Sequence, residues 1–270
     1  MKFYALPQNK TENEISSLRA HSRAAQEAWM KLLKINLDKP QRKTLLGLVS
    51  HHIAPWFLRI DLLMDFLVDS FNLGGSMSLV ALSGLFYLIQ KRNLDYPQFY
   101  TKLYGLLDAQ ILHSKHRSRF LRLLDTFLAS THLPAVLVAS FIKRLSRLCL
   151  YSPPSGVVII VPLIYNLLKE HPACTFMIHR ETPELERKMR MKDEGLEDPF
   201  DMEEKNPMAS RAIDSSLWEI ETLQSHYHPN VATIAKMISE QFTKQGYNLE
   251  DFLDHSYGSV SRISPSRRLH

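Results

Sequence analysis

The chain has 270 residues, of which 45% are hydrophobic and 23% charged, a balance that is typical of a folded globular protein and excludes wholesale disorder. Only 9 residues are glycine, against a usual share of about 7%, which disfavours a β-sandwich or a glycine-rich phosphate loop. The net charge of +5 suits an anionic partner, and two distant cysteines, Cys149 and Cys174, encode neither a zinc knuckle nor a disulfide framework.

From residue 11 to residue 171 the chain reads as successive amphipathic helices. The stretch "RIDLLMDFLVDSF", for example, places Ile60, Leu63, Met64 and Leu67 on one helical face. Proline, asparagine, glycine and serine punctuate these segments at the expected helix ends, and Pro40 suits a first turn. One helix recurs about every 20 residues, hence one helical hairpin about every 40. We therefore expect an all-α fold, a HEAT/armadillo-like α-solenoid of antiparallel helical hairpins with a C-terminal helical appendage.

Two uncharged stretches, residues 70–90 and 148–168, are long enough to be considered as membrane spans. The first contains the Gly74-Gly75 pair, and the second is interrupted by "YSPPSG". These breaks favour buried helices over spans. A protein of the nuclear membrane is the weaker alternative.

Composition divides the chain into five segments. Residues 181–204 hold ten acidic and four basic residues, which indicates an exposed acidic linker. The predicted segments are an N-terminal helix or flank (1–28), a helical array (29–178), the acidic linker (179–206), a C-terminal helical segment (207–257) and a disordered basic tail (258–270).

The stretch "DSSLWEIETLQSHYHPNV" contains the residue types of a metal or catalytic site. His226 and His228 would share a face only in a strand, whereas Pro229 indicates a turn between two helices. No further cysteine or histidine cluster supplies the missing metal ligands. Glu219 lies two helical turns from His226, beyond hydrogen-bond reach. Since neither G-x-S-x-G nor a P-loop occurs, we expect no catalysis, cofactor, metal or small-molecule substrate.

Basic residues cluster between His113 and Arg147, where Asp125 is the only acid. A helical hairpin would bring the two halves of this cluster to one edge, as a contact for RNA phosphates or for an acidic protein segment. An ordinary solvated face is the third possibility. The candidate residues are Lys115, Arg117, Arg119, Arg122, Lys143, Arg144 and Arg147.

Two separate stretches resemble one family. The first runs from "WMKLLKINLDKPQRKTLLGLVSHHIAPWF" to "VVIIVPLIYNLLKEHP" and is similar to the CCAAT-binding-factor (CBF) domain of nucleolar complex proteins. The second, "DPF" followed by "NPMASRAIDSSLWEIETLQSHYHPNVATIAKMISEQF", resembles the other signature of that family. Family members carry a further N-terminal helical half, so we expect this chain to be a fragment or an isoform.

The resemblance implies a non-enzymatic scaffold of the nucleus and nucleolus. It implies a role in small (40S) ribosomal subunit assembly and pre-rRNA processing within the small-subunit processome. The implied partners are nucleolar protein fourteen, other processome proteins and pre-rRNA. A DNA-binding transcriptional regulator of the CCAAT-binding-factor type is the alternative, although no helix-turn-helix, zinc-finger or basic-zipper pattern supports it.

The signature positions that match the family are expected to have structural or docking roles. Leu217 and Trp218 are expected to be buried anchors, Glu219 a first-turn carboxylate, and Tyr227 and Pro229 residues that fix the turn. The full set is Asp198, Pro199, Phe200, Leu217, Trp218, Glu219, His226, Tyr227 and Pro229.

Overall fold

A computed structural model describes residues 17–92, 94, 96, 98–113, 116–178, 198–239 and 246–253 of the chain. The chain falls into two compact units that divide between residues 97 and 98. Every regular element within the described ranges is a helix, which confirms the all-α fold class. The HEAT or armadillo arrangement of these helices stays a prediction.

Four α-helices are described in the first unit. They are α1 (Leu18–Leu33), α2 (Lys39–Leu48), α3 (Asp61–Asn72) and α4 (Gly75–Arg92). α2 begins at a capping box formed by Asp38 and Gln41, with Pro40 in its first turn as predicted. It continues into a π-helical turn, Val49–Ile53, and a 3₁₀ turn, Ala54–Trp56.

The core of the first unit lies mainly between α3 and α4. Leu63 and Leu67 of α3 are fully buried, as are Leu82 and Leu85 of α4. The two helices approach closely at Gly84, because a Cβ atom there would lie only 3.1 Å from the side chain of Leu67. The first uncharged stretch therefore supplies a buried helix, as its glycine and serine content predicted.

The second unit contains the remaining described helices. They are α5 (Phe99–Gly105), α6 (Ala109–His113), α7 (Arg117–Leu128), α8 (Ala135–Cys149), α9 (Pro154–Glu170), α10 (Trp218–Leu223), α11 (Pro229–Ser239) and α12 (Glu250–Leu253). Two 3₁₀ turns, Pro172–Met177 and Ala212–Asp214, accompany them.

α9 is the buried helix around which the second unit packs. Its residues from Ser155 to Tyr165 are all buried, and Pro162 lies inside the helix. α9 contacts α7, α8, α11 and α12. A helix that is apolar on all sides must be covered on all sides, which explains why the second uncharged stretch lies in the core. Among the residues that the structure describes, no helix has the length and apolarity needed to cross a membrane.

The C-terminal segments pack onto α7, α8 and α9 and belong to the same compact unit as these helices. Residues 198–206, which were expected to belong to the acidic linker, fold against α8, where the Arg144 side chain donates to backbone carbonyls of Met202 and Glu204. Residues 1–16, 179–197 and 254–270, which include the rest of the predicted linker and the basic tail, lie outside the described residues.

Candidate functional site

Two basic residues lie on the buried face of α8 that turns toward the C-terminal segment. Lys143 and Arg147 are four residues apart, so they lie on one side of the helix. The helix residues around them, including Phe141, Ile142, Leu145 and Leu148, are buried. Two cations at such a position require partners, because an unpaired buried charge is strongly unfavourable.

The segment from Asp198 to Ser216 supplies the partners and is held in place by its own turns. The Asp198 carboxylate accepts a hydrogen bond from the backbone N–H of Phe200 at 3.1 Å, an Asx turn that Pro199 reinforces by fixing its own φ angle. The backbone N–H of Asp201 donates to the carbonyl of Ser210 at 3.0 Å and closes the following loop. Asp198 is thereby directed back toward α8.

A second tie joins this loop to α8 one turn before Lys143. The Ser140 hydroxyl contacts the carbonyl of Pro207, and the Ser210 hydroxyl donates to the Ser140 oxygen at 2.9 Å. Both serines are fully buried. The Ser210 hydroxyl also lies 3.1 Å from the Pro207 carbonyl, so the two serines and this carbonyl form one buried hydrogen-bonded group that joins the loop to α8.

Lys143 forms the centre of a cluster of four charges. Its Nζ atom lies 2.8 Å from Asp198 Oδ2 and 2.7 Å from Glu219 Oε1, and it donates to the Ser216 carbonyl at 2.7 Å. The three donors of the ammonium group therefore have three acceptors. The Lys143 and Glu219 side chains are both 0% exposed, so this ion pair lies in the protein interior.

Arg147 completes the cluster from the next turn of α8. Its Nε atom donates to Glu219 Oε1 at 2.9 Å and its Nη2 atom to Asp198 Oδ2 at 2.5 Å. Lys143, Arg147, Asp198 and Glu219 together carry no net charge. We refer to these four residues as the charge cluster.

Asp198 is ionised by its surroundings despite its partial burial. Burial disfavours the charged form, but hydrogen bonds from Lys143, Ser215, Trp218 and the Phe200 backbone outweigh it and lower the pKa of Asp198 to about 2. The Ser215 hydroxyl donates at 2.6 Å and the Trp218 indole N–H at 2.8 Å. Asp198 therefore stays an anion at any physiological pH.

Two aromatic rings cover the cations of the charge cluster. Arg147 Cζ lies 4.8 Å from the centre of the Trp218 ring, and Lys143 Nζ lies 5.4 Å from it. The Phe200 ring lies about 6 Å from the same two groups, at 5.9 Å from Lys143 and 6.0 Å from Arg147. These are cation–π distances. Trp218 retains 39% exposure, so it is a half-exposed cover and not the buried anchor that we expected.

Glu219 occupies the first turn of α10, as predicted, but it is bound through its side chain to α8. Its Oε2 atom is buried and has no hydrogen-bond partner among the described residues. Burial and the nearby Glu219 carboxylate both raise the pKa of the Cys149 thiol, which disfavours the reactive thiolate form.

Three further arginines of the predicted basic edge are also engaged within the chain. Arg144 donates to the Leu107 carbonyl at 2.8 Å and lies over the Tyr104 ring. Arg122 forms a bidentate ion pair with Glu250 of α12. Arg117 donates to the Leu112 carbonyl and to Ser155. Arg119 is exposed, and Lys115 lies outside the described residues.

The geometry therefore does not provide the single solvent-facing edge that we expected from this basic run. Lys143 has no exposed surface for RNA, and Arg147 is 25% exposed and already bound to two carboxylates. The cause is that the acidic partners come from far along the chain, about 50 to 75 residues after α8. The paired positions 143 and 147 are a helical i, i+4 signal, but nothing local to them indicates Asp198 or Glu219.

His226 and His228 lie in the turn between α10 and α11. The His228 backbone N–H donates to Nδ1 of His226 at 3.0 Å, and Pro229 begins α11. Tyr227 stacks on His226 with ring centres 4.4 Å apart and is 81% exposed. Within the described part of the chain, no group of three or more histidine, cysteine or acidic residues is placed to hold a metal ion.

Leu217, by contrast, is 6% exposed, as an anchor should be. Its backbone N–H donates to the Met177 carbonyl at 2.9 Å. This bond ties the start of α10 to the 3₁₀ turn that follows α9. Together with the charge cluster it fixes the position of α10 on the second unit.

Comparison with known proteins gives close matches. The chain is 46% identical to nucleolar complex protein 4 of Saccharomyces cerevisiae over 255 residues, which are 89% of this chain and 46% of the yeast protein. It is 44% identical to a human homologue of that protein over 89% of this chain, and 47% identical to a mouse homologue over 84%. The chain spans about half the length of these curated relatives.

A family model described as CBF/Mak21 matches residues 78–235. This range includes α8, α9 and α10 and every member of the charge cluster. The chain therefore belongs to the CBF/Mak21 family.

Proposed function

We propose that the chain is a non-enzymatic helical scaffold in nucleolar ribosome biogenesis. The observation that carries this proposal is its 46% identity, over 89% of its length, to a protein named nucleolar complex protein 4. The charge cluster is consistent with a scaffold role, because its charged groups bind one another and backbone carbonyls. Such a cluster fixes the position of a segment and carries out no reaction.

The finer role extends this proposal to the small ribosomal subunit. The chain acts in 40S assembly and pre-rRNA processing within the small-subunit processome, with nucleolar protein fourteen as its partner and a HEAT/armadillo-like helical array as its frame. The surface that supports protein docking is the turn after α10, where Tyr227 is 81% exposed. Large exposed aromatic side chains of this kind are enriched at protein interfaces.

The test is affinity purification of the epitope-tagged chain from nucleolar extracts. We expect nucleolar protein fourteen and small-subunit precursor RNA to co-purify, and Tyr227→Ala to weaken recovery of the protein partner severalfold. Tyr151→Ala is the matched control, because Tyr151 belongs to the same unit and is 76% exposed. Recovery of neither the protein nor the RNA with the unaltered chain would contradict the proposal.

The same preparation distinguishes the transcriptional alternative. A DNA-binding regulator would stay on chromatin after RNA has been digested and ribosome synthesis has been arrested. We expect the chain to leave the insoluble fraction under those conditions, since its proposed attachment is to ribosomal precursors.

A further inference from the structure

The solvent face of α2 and of its π-helical continuation has a composition that the fold does not require. Lys39, Lys43, Gly47 and His51 follow one another at intervals of four residues, and all four are exposed. The opposite face is the one that packs, because Leu46, Val49 and Ile53 are buried. The exposed line is therefore open to a partner from outside the first unit.

Gly47 is the most informative residue of this line. It lies inside α2 without a positive φ angle, and a Cβ atom added there would meet no atom within 4 Å. Glycine is less favourable inside a helix than any residue except proline. Neither a positive φ angle nor internal packing calls for a glycine here, and the absence of a Cβ atom would let a partner approach the helix backbone closely.

The segment around α2 is positively charged, which favours an anionic partner. Residues 17–59 hold eight lysines and arginines against Glu27 and Asp38, a net charge of +6. Arg42 contacts Ser70 and Arg59 pairs with Asp61, but Lys39 and Lys43 take part in none of the ion pairs found among the described residues. Two ammonium groups one helical turn apart suit successive phosphates of a polynucleotide strand.

Aromatic rings at the end of the same helical run favour RNA over an acidic protein segment. His51 and His52 are exposed, and Trp56 in the following 3₁₀ turn is 40% exposed. Single-stranded nucleic acids are bound by cations that follow the backbone and by planar side chains on which bases stack. An acidic peptide would be held mainly by the cations, whereas a single-stranded RNA would use the cations for its phosphates and the rings for its bases.

We propose that this face of the first unit binds single-stranded RNA, with phosphates at Lys39 and Lys43, the strand passing over Gly47, and a base stacked on Trp56. The choice of RNA over DNA rests on the proposed role in ribosome biogenesis. The RNA surface thus lies on α2, whereas five basic residues of α7 and α8 are bound within the chain, namely Arg117, Arg122, Lys143, Arg144 and Arg147.

The first test measures binding of the full chain to a fluorescein-labelled single-stranded RNA of about 20 nucleotides by fluorescence anisotropy, at about 50 to 200 mM NaCl. Lys39→Glu with Lys43→Glu should weaken binding about tenfold and reduce the slope of log affinity against log salt by about 1.4. Lys91→Glu with Lys236→Glu makes the same charge change at two exposed residues elsewhere and should change affinity little. An acid at position 39 suits the first turn of a helix, so the fold is retained.

The second test separates binding from stability. Gly47→Leu should raise the thermal midpoint, because leucine is the better helix former, yet weaken RNA binding at least threefold by blocking the close approach. Trp56→Ala should weaken binding severalfold with little change in the salt slope.

Three results would overturn the proposal. They are equal RNA affinities for the two double-lysine variants, unchanged binding by Gly47→Leu, and displacement of the RNA by polyglutamate at equal charge concentration, which would assign the face to an acidic protein segment. These binding assays test direct RNA contact separately from the nucleolar purification. A chain that reaches precursor RNA only through its protein partners would co-purify with that RNA but would not bind RNA in the assays.

Discussion

Lys143 illustrates why the burial of a charge matters more than its sequence neighbourhood. It belongs to a run of basic residues, yet it is fully buried and its ammonium group is bound to Asp198, Glu219 and the Ser216 carbonyl. A buried ion pair is often no more stabilising than a well-packed apolar pair, but the loss of one partner leaves an uncompensated charge. The pair therefore fixes where the C-terminal segment binds to α8 more than it adds to stability.

Replacing either Lys143 or Glu219 should lower the free energy of unfolding strongly. Replacing both should lower it by less than the sum of the two single losses. We expect Lys143→Met and Glu219→Gln each to lower the free energy of unfolding by about 3 kcal/mol, and the double variant to lose clearly less than both losses together. Urea unfolding of the four chains measures this coupling.

Lys236→Met is the control for the lysine substitution, because Lys236 is exposed on α11 and should change stability by at most about 0.5 kcal/mol. Additive losses from the two buried substitutions would show that the pair seen in the structure is not energetically coupled.

Asp198 should make the stability of the chain depend on acid pH. Its pKa is lowered to about 2, below the ordinary value of 3.8 for an aspartate. A carboxyl group whose pKa is depressed by folding contributes stability above its unfolded pKa, and this contribution is lost as the pH falls through the folded value. The loss should therefore occur between about pH 4 and pH 2.

Asp198→Asn should remove this pH dependence together with the ion pairs. We expect the stability difference between the unaltered chain and the variant to be largest above about pH 5 and to shrink as the pH falls toward 2, as measured by unfolding at a series of pH values. The control is Asp65→Asn, at an exposed carboxylate of α3. We expect the unaltered chain and this variant to have nearly equal stability at every pH in the series. A difference that is constant with pH would contradict the assignment of Asp198 as the titrating group.

At the scale of the elements, local sequence patterns predicted where the helices lie better than they predicted which elements contact one another. The apolar period of "RIDLLMDFLVDSF" predicted α3, and the uncharged stretches predicted the buried helices α4 and α9. Pro40 and Pro229 lie at the starts of α2 and α11, because proline lacks the N–H that a first turn leaves unpaired. These features depend on neighbours within a few residues, which a sequence displays directly.

The contacts of the C-terminal segment could not be predicted in the same way. Asn166 of α9 shows the reason, since its side-chain amide both donates to and accepts from the backbone of Tyr247, 81 residues later. No periodicity relates the two positions. The charge cluster likewise joins residues that are far apart in the sequence. Trp218, which covers the cluster, was expected to be buried, but one side of it is exposed. Long-range pairing is decided by packing of the whole unit, while local periodicity is decided by a single helix.

At the scale of the whole molecule, the cations separate into two classes that bulk composition does not distinguish. The second unit neutralises Lys143, Arg147 and Arg122 with its own carboxylates. In the first unit Lys39 and Lys43 are left exposed to solvent. The net charge of +5 therefore understates the positive field that α2 presents to a partner.

The two classes should differ in their response to salt. Charges in the interior are screened weakly, whereas exposed charges more than a Debye length apart, about 10 Å at 0.1 M salt, interact little. We expect an increase in NaCl from about 50 to 500 mM to leave the thermal midpoint nearly unchanged, as followed by circular dichroism, because the charge cluster is buried and paired. RNA affinity should fall steeply over the same range, since it depends on counterion release at exposed lysines. A midpoint that falls in parallel with RNA affinity would mean that the charge cluster is open to solvent and available to partners.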